Sequence, residues 1–475
     1  MSRAADPKRR RTPWRDNIEA MTVAIVMAVV LKYFIVEAYK IPTGSMQPTL
    51  MGNEETGIFD RILVDKLSYH FREPRRFEVV IFKYPLDRSK NFVKRLVGMS
   101  DEGFRILNGD AWTRPAGEGD WRVLRRPRSV QQATWKELDP DGREGSASWK
   151  PETPESSVWT IDGRSIEARG DGHARFEGHG GGSIMDGYGH GYPPRMLAGM
   201  SVRHGRGTNP VGDLRVWGRV RALPGCELVA VDLEEGARRY RLEIPGPAAP
   251  TDAAPRIVFE NARAGTDGAP RSASGEPYRL PAGRWIEFGA QNLDDLLEID
   301  IGGDVVCELE VPTADDQRSA AWVRIAGEGA DLDELQVARD IYYLPGRGAS
   351  EWTIPPGHYF MLGDNTQDSS DSREWTLLSL TWRADGDVKQ ALGNWRPGSP
   401  PRPDSNPIEF PGLSPSLTWF RDRWGELHEF PSSSVVSRQQ RMDPLVPREL
   451  ITGRALLVFW PFSPSLGVYR LEWIH

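Results

Sequence analysis

Ser45 and Lys94 are the residues of this chain whose surroundings suit nucleophilic chemistry. Ser45 stands in Ile41-Pro42-Thr43-Gly44-Ser45-Met46-Gln47-Pro48-Thr49-Leu50, with a proline on each side. Pro42 and Pro48 restrict their own backbone and that of the residue before them, while Gly44 permits a close approach. Ser45 is therefore expected on a stiff loop. A serine hydroxyl is a weak nucleophile until a base takes its proton. The candidate base is Lys94, in the alternating stretch Asn91-Phe92-Val93-Lys94-Arg95-Leu96-Val97. On a strand Lys94 shares a face with Phe92 and Leu96, whereas Arg95 points the other way with Asn91. Burial among apolar groups disfavours the ammonium form and lowers a lysine's pKa. Taken alone, such a lysine also fits a side chain that snorkels to the surface. A third polar stretch, Gly363-Asp364-Asn365 with Thr366 to Arg373, suits a network that orients other side chains, or an ordinary Asx- and Ser-rich turn.

These stretches lie far apart, so a scaffold must bring them together. Glycine (48) and proline (38) are abundant and apolar content is a low 39%, which points to a mainly β protein with long loops. A length of 475 residues suits about three domains. The net charge of −7 argues against nucleic acid as the main partner. Cys226 and Cys307 are too few for a disulfide framework or a cysteine-only zinc site, and leave one bridge open. Four histidines between His173 and His204 lack a recognisable ligand spacing. Asp139-Pro140-Asp141-Gly142 lacks the later ligands of a calcium loop. No metal or cofactor is expected.

The chain divides by composition. Residues 1–16 are a basic tail with six basic groups against two acidic ones. Residues 17–38 are helix-compatible and would reach about 33 Å, enough for a bilayer core of roughly 30 Å. They are expected to form a transmembrane anchor; the competing reading is a cleaved signal ending at Val36-Glu37-Ala38. The basic tail sets the N-terminus in the cytoplasm. Residues 39–111 carry strands at Arg61–Lys66, Glu78–Lys83 and Asn91–Val97. Residues 112–339 read as an inserted β-sandwich, with clear strands at Leu214–Arg221, Leu228–Leu233, Tyr240–Ile244, Trp285–Phe288 and Leu296–Ile301. Residues 340–378 hold the polar stretch, 379–443 form a second, proline-rich and irregular insert, and 444–475 contain a closing strand at Ala455–Trp460.

In this order the pieces resemble the type I signal peptidases. Gly44-Ser45-Met46-Gln47-Pro48-Thr49-Leu50 is similar to that family's serine box, and Phe92 to Gly98 to its lysine box. Gly363-Asp364-Asn365 with Ser369 to Arg373 resembles its polar box, and Val446-Pro447 through Gly453-Arg454-Ala455 its closing strand. The resemblance spans roughly a third of the chain and excludes most of both inserts. It implies Ser45 as nucleophile and Lys94 as general base, with Ser369 contacting the lysine. It implies Thr43 and the Ser45 amide as oxyanion donors, and Asp364, Asp371 and Arg373 as braces. Met46, Leu50, Phe92 and Val93 would line the pockets for small substrate side chains.

Two turns depart from the family: its Arg-Gly-Asp is Arg76-Phe77-Glu78 here, and its Leu-Pro-Gly is Met99-Ser100-Asp101. The implied protein is a membrane-anchored endopeptidase whose substrates are exported preproteins. It would be single-pass in the lipid bilayer of the cell membrane, with its site on the outer side. The 112–339 insert looks loosely like a concanavalin-type sandwich, with room for a sugar or protein ligand. Two other readings compete: a self-cleaving Ser/Lys peptidase, and an anchored binding protein with a degenerate peptidase core.

Overall fold

A computed structural model describes residues 13–30, 32, 35–53, 57–117, 119–138, 148–154, 157–178, 182–187, 207–260, 272–313, 318–346, 348–398, 405–413, 415–463 and 468–475. Most of the basic tail, the Asp139–Gly142 turn and His179, His190 and His204 lie outside them.

Short apolar runs from both ends of the chain meet in one antiparallel sheet of eight strands. Its order is Val36–Lys40, Arg61–Asp65, Ile451–Trp460, Val79–Lys83, Asn91–Gly98, His358–Leu362 and Leu445–Pro447, with Glu472–Trp473 pairing on Ile451–Trp460. Both faces of this sheet are covered, so its central strands carry apolar residues at successive positions rather than in strict alternation. Val79 and Ile81 enter one cluster with Ile62, Val64, Ala455 and Val458. Val80 and Phe82 enter the other with Leu96, Met361 and Trp375. Alternation along one strand thus feeds two cores.

A second sheet of four strands, Glu351–Ile354, Glu102–Leu107, Asp110–Pro115 and Arg122–Val123, packs beside it. Its hairpin turns at Asn108-Gly109, both with positive φ, the conformation that a tight primed turn needs.

Between these parts the chain builds two large sheets of eight and seven strands that share one hydrophobic core. Val216, Val220, Phe288 and Leu332 face it from one sheet; Val229, Val231, Tyr240 and Val323 face it from the other. The free thiols Cys226 and Cys307 are buried there and do not bridge. The stretch read as proline-rich and irregular is more ordered than its composition suggests. It forms two three-stranded sheets around Leu378, Leu380, Trp382, Phe420 and Phe430.

The expectation of one helix over 17–38 needs correction. The helix Pro13–Val30 has 18 residues, about 27 Å at 1.5 Å per residue. Residues 36–38 instead open the edge strand Val36–Lys40, paired in register with Arg61–Asp65. Backbone bonding to a sheet edge outcompetes one more helical turn there. Among the described residues, no helix is long and apolar enough to cross a membrane.

Candidate active site

The loop at Ser45 is a tight turn in which Gln47 N donates to Gly44 O at 3.1 Å and Leu50 N to Met46 O at 2.9 Å. Met46 and Leu50 anchor it by burying their side chains in the core at 1% and 0% exposure. Ser45 itself stays half-buried. Lys94 comes from the central strand Asn91–Gly98, opposite Val80. It is buried, and its Nζ donates to Ser45 Oγ at 2.6 Å. Burial pushes the Lys94 pKa down to about 8, the Asp371 charge pulls it up, and Arg373 pushes it down. Thr43 Oγ1 lies 3.4 Å from Ser45 Oγ on the exposed side.

The polar stretch reaches the serine through its backbone and amide groups. Asn365 N donates to Ser45 O at 3.2 Å, and Asn365 Nδ2 donates to Gly44 O at 3.1 Å. Asp371 takes Gly363 N at 3.0 Å and both Nε and Nη2 of Arg373 at 2.8 Å. Burial alone would raise the Asp371 carboxyl, but the Arg373 charge and hydrogen bonds outweigh it and hold the pKa below the usual range. Arg373 also donates to Leu344 O and Thr366 O, so it ties the turn to the chain before it. Gly363 is required by close approach: a Cβ there would collide with Ser369 Oγ and lie 2.5 Å from Ser45 O.

Several expectations change. Ser369 Oγ is buried without a hydrogen-bond partner, so its expected contact with Lys94 is not formed as a hydrogen bond; Lys94 Nζ is directed at Ser45 instead. Phe92 and Val93 do not line one pocket, because neighbours on a strand face opposite ways. Val93 packs with Met46 and Leu50. Phe92 lies on the other side, stacked on Tyr84 at 4.3 Å. The altered turns keep the backbone that glycine would give, since Phe77 has φ 70 and Asp101 φ 64. For a bulky Phe77 this costs roughly 1–2 kcal/mol, offset by a ring buried at 6% exposure.

Sequence reasoning missed Arg95. It is fully buried and donates through Nε and Nη2 to Asp364 at 2.8 and 2.7 Å. Thr49 Oγ1 joins Asp364 Oδ2 at 2.5 Å. The signal was present, since Val93, Arg95 and Val97 share a strand face that needs a counter-charge if buried. Lys136, from the insert, donates to Asp364 O at 2.9 Å, and no local pattern marks it.

Among the described residues, two groups bring carboxylate or imidazole atoms close enough to share an ion: Asp422, Glu426 and His428, and Asp110, Asp213 and Asp294. Neither includes a residue of the Ser45 cluster.

Known proteins match the same parts of the chain. The family model for signal peptidase, peptidase S26, matches residues 14–110 and 308–383. A probable signal peptidase I-2 of Synechocystis sp. is 33% identical over 115 residues, covering 22% of this chain and 50% of that protein. A signal peptidase I of Leptolyngbya laminosa is 32% identical over 114 residues, covering 22% and 53%. One from Mycobacterium tuberculosis is 42% identical over 88 residues, covering 18% and 30%. The two matched segments, which carry Ser45, Lys94 and the polar turn, are thus similar to type I signal peptidases. It spans about half the length of the first curated relatives it matches. A carbohydrate-binding module of Bacillus subtilis aligns over 41% of this chain and 96% of its own, at TM-score 0.25 and 8% identity. A likeness that low assigns no fold to the insert.

Proposed function

We propose that this protein is a serine endopeptidase that removes signal peptides from exported preproteins, with Ser45 as nucleophile and Lys94 as general base. The observation that carries this reading is the 2.6 Å contact from Lys94 Nζ to Ser45 Oγ. With its pKa lowered to about 8, Lys94 has about a tenth of its amine free at pH 7. Neutral Lys94 takes the hydroxyl proton as Ser45 Oγ attacks the scissile carbonyl. The ammonium then returns that proton to the leaving amine, and an acyl-enzyme remains. Water, deprotonated by the same amine, hydrolyses the ester and frees Ser45. Thr43 Oγ1 and the Ser45 amide are the donors for the oxyanion. Asp364, Asp371 and Arg373 brace the loop, while Met46 and Leu50 fix it in the core with Val93 packed beside them.

The same proposal includes attachment to a lipid bilayer through the N-terminal segment, with the N-terminus cytoplasmic and the site outside. Its support is the helix Pro13–Val30, whose Met21, Val23, Ile25, Val26 and Met27 are each more than half exposed. Flotation with liposomes tests it: a chain lacking residues 1–35 should stay in the soluble fraction. Equal flotation of both chains would count against the anchor.

The two-sheet insert is read as a concanavalin-like sandwich that takes a sugar or protein ligand. A cavity of about 480 Å³ lined by Trp112, Trp121, Arg125, Asp295 and Glu310 supports this. A glycan array that retained none of the full-length protein would remove the sugar from it. The intact Ser45–Lys94 pair argues against a binding protein with a degenerate core.

The deciding experiment is cleavage of a model preprotein by wild type, Ser45→Ala and Lys94→Ala. Each substitution should lower the rate by about 1000-fold or more while the protein stays folded. Substantial cleavage by Lys94→Ala would sink the dyad.

A further inference from the structure

One peptide unit links the insert to the Ser45 loop. The carbonyl of Asp364 accepts from Lys136 Nζ at 2.9 Å, and the N–H of the same peptide, on Asn365, donates to Ser45 O at 3.2 Å. A peptide unit is planar and does not twist about its C–N bond. Whatever sets the tilt of this plane from its carbonyl side therefore sets the direction of the N–H that holds the serine backbone.

Lys136 is suited to that task. It lies in the short strand Lys136–Glu137, paired with the insert strand Gly329–Arg339 with Lys136 opposite Arg339. Its side chain is buried at 3% exposure, so its reach is fixed by packing rather than by solvent. Burial, then the Arg339 charge, pushes its pKa well below the ordinary lysine value. An N–H on either form of the amine serves as the donor. A second tether runs parallel: Gln367 Nε2 donates to Asp186 O at 3.1 Å, and Arg339 Nη2 donates to the same carbonyl at 2.6 Å. Asp186 and Arg339 belong to the insert, whereas Gln367 belongs to the turn after Asn365. The turn is thus gripped by the insert at two carbonyls, and by Arg95 and Thr49 through the Asp364 side chain.

We propose that the insert is a working part of the peptidase site and that Lys136 is its positioning residue, orienting Ser45 through the Asp364–Asn365 peptide. The proposal rests on the peptidase reading above. It gives the large insert a role whether or not it also takes a ligand. Lys136 touches neither substrate nor the reacting atoms, so its loss should affect turnover and not substrate capture.

The test uses full-length protein and a model preprotein, with kcat, KM and melting temperature measured for each variant. Lys136→Met should lower kcat about tenfold or more and leave KM within about twofold, because misplacing a nucleophile by a fraction of an ångström is costly. Lys136→Arg, which keeps an N–H donor, should recover most of that loss at a matched melting temperature. If Lys136→Met folds and turns over within about twofold of wild type, or if Lys136→Arg is as impaired as Lys136→Met, the proposal is overturned. Should Lys136→Met fail to fold, Gln367→Leu decides: a lower kcat at constant KM supports the insert's grip, and an unchanged kcat overturns it. Ser45→Ala runs alongside. If wild type cleaves no better than Ser45→Ala, the peptidase reading itself has failed; if wild type cleaves and only the Lys136 effect is missing, the positioning role alone has failed.

Discussion

Arg95 holds both carboxylate oxygens of Asp364, through Nε at 2.8 Å and Nη2 at 2.7 Å, and neither side chain has exposed surface. Arg95 follows Lys94 on its strand, and Asp364 precedes Asn365, which holds the backbone at Gly44 and Ser45. One ion pair therefore ties the strand of the proposed base to the turn that braces the proposed nucleophile. Burial would raise the Asp364 carboxyl, but the Arg95 charge and hydrogen bonds keep it below its usual range.

Removing one partner strands the other. Arg95→Met should cost about 3–5 kcal/mol, because an uncompensated carboxylate stays buried. Adding Asp364→Asn should recover part of that loss, so the double variant is less unstable than the sum of the single ones. Urea unfolding of the four proteins measures this. Strict additivity would mean the pair is not coupled.

Gly363→Ala should lower the proposed preprotein cleavage more than it lowers stability. The new methyl collides with Ser369 Oγ and presses on Ser45 O at 2.5 Å. Overpacking of this kind costs about 1–3 kcal/mol in stability. Ser369→Ala opens space on one side only, since the other contact is backbone, so it should not restore preprotein cleavage to Gly363→Ala. Full restoration would show that the Ser45 side of the clash is harmless.

The pH dependence follows from Lys94. As the proposed base, Lys94 must be neutral to accept a proton, so kcat/KM for preprotein cleavage should fall as pH drops through about 8. Stability has its own sign. The folded pKa of about 8 lies below the ordinary lysine value of 10.5, so between these values the unfolded chain binds the extra proton and stability rises with pH. The penalty for burying the charged form is full below about 8. Against Lys94→Met, which lacks this titration, wild type should gain up to about 3 kcal/mol between pH 7 and 10.5. Parallel stability curves for the two proteins would contradict the lowered pKa.

Thr43→Val should separate catalysis from folding. Thr43 is exposed, with its hydroxyl 3.4 Å from Ser45 Oγ. Loss of an oxyanion donor typically lowers kcat about 100- to 1000-fold, while an exposed substitution shifts stability by about 0.5 kcal/mol or less. Thr43→Ser keeps the hydroxyl and should retain most activity. If Thr43→Val cleaved as well as wild type, the second donor would have to come from elsewhere.

Much of this arrangement is legible in the sequence. Prolines around Ser45 mark a stiff loop, and alternation from Asn91 to Val97 marks a strand that buries Lys94; both are local signals that survive in the fold. The far end of the anchor segment is not legible locally, because residues 36–38 suit a helix and an edge strand equally well, and the partner strand Arg61–Asp65 decides between them. The strands of the second insert are masked in sequence by its prolines and are held together by Trp382, Phe420 and Phe430.

By itself the sequence determined the chemical types and their local presentation: a serine on a turn, a lysine on an apolar face, and a polar turn rich in small side chains. Only the tertiary structure decided which partners each group meets. It put Arg95 against Asp364, left Ser369 Oγ without a hydrogen bond, and brought Lys136 from a distant insert onto the Asp364 carbonyl. Local patterns report short-range backbone preference and burial. A buried charge acquires its partner only when strands remote in sequence pack together, so the strand pattern at Arg95 signals the need for a counter-charge but not which residue supplies it.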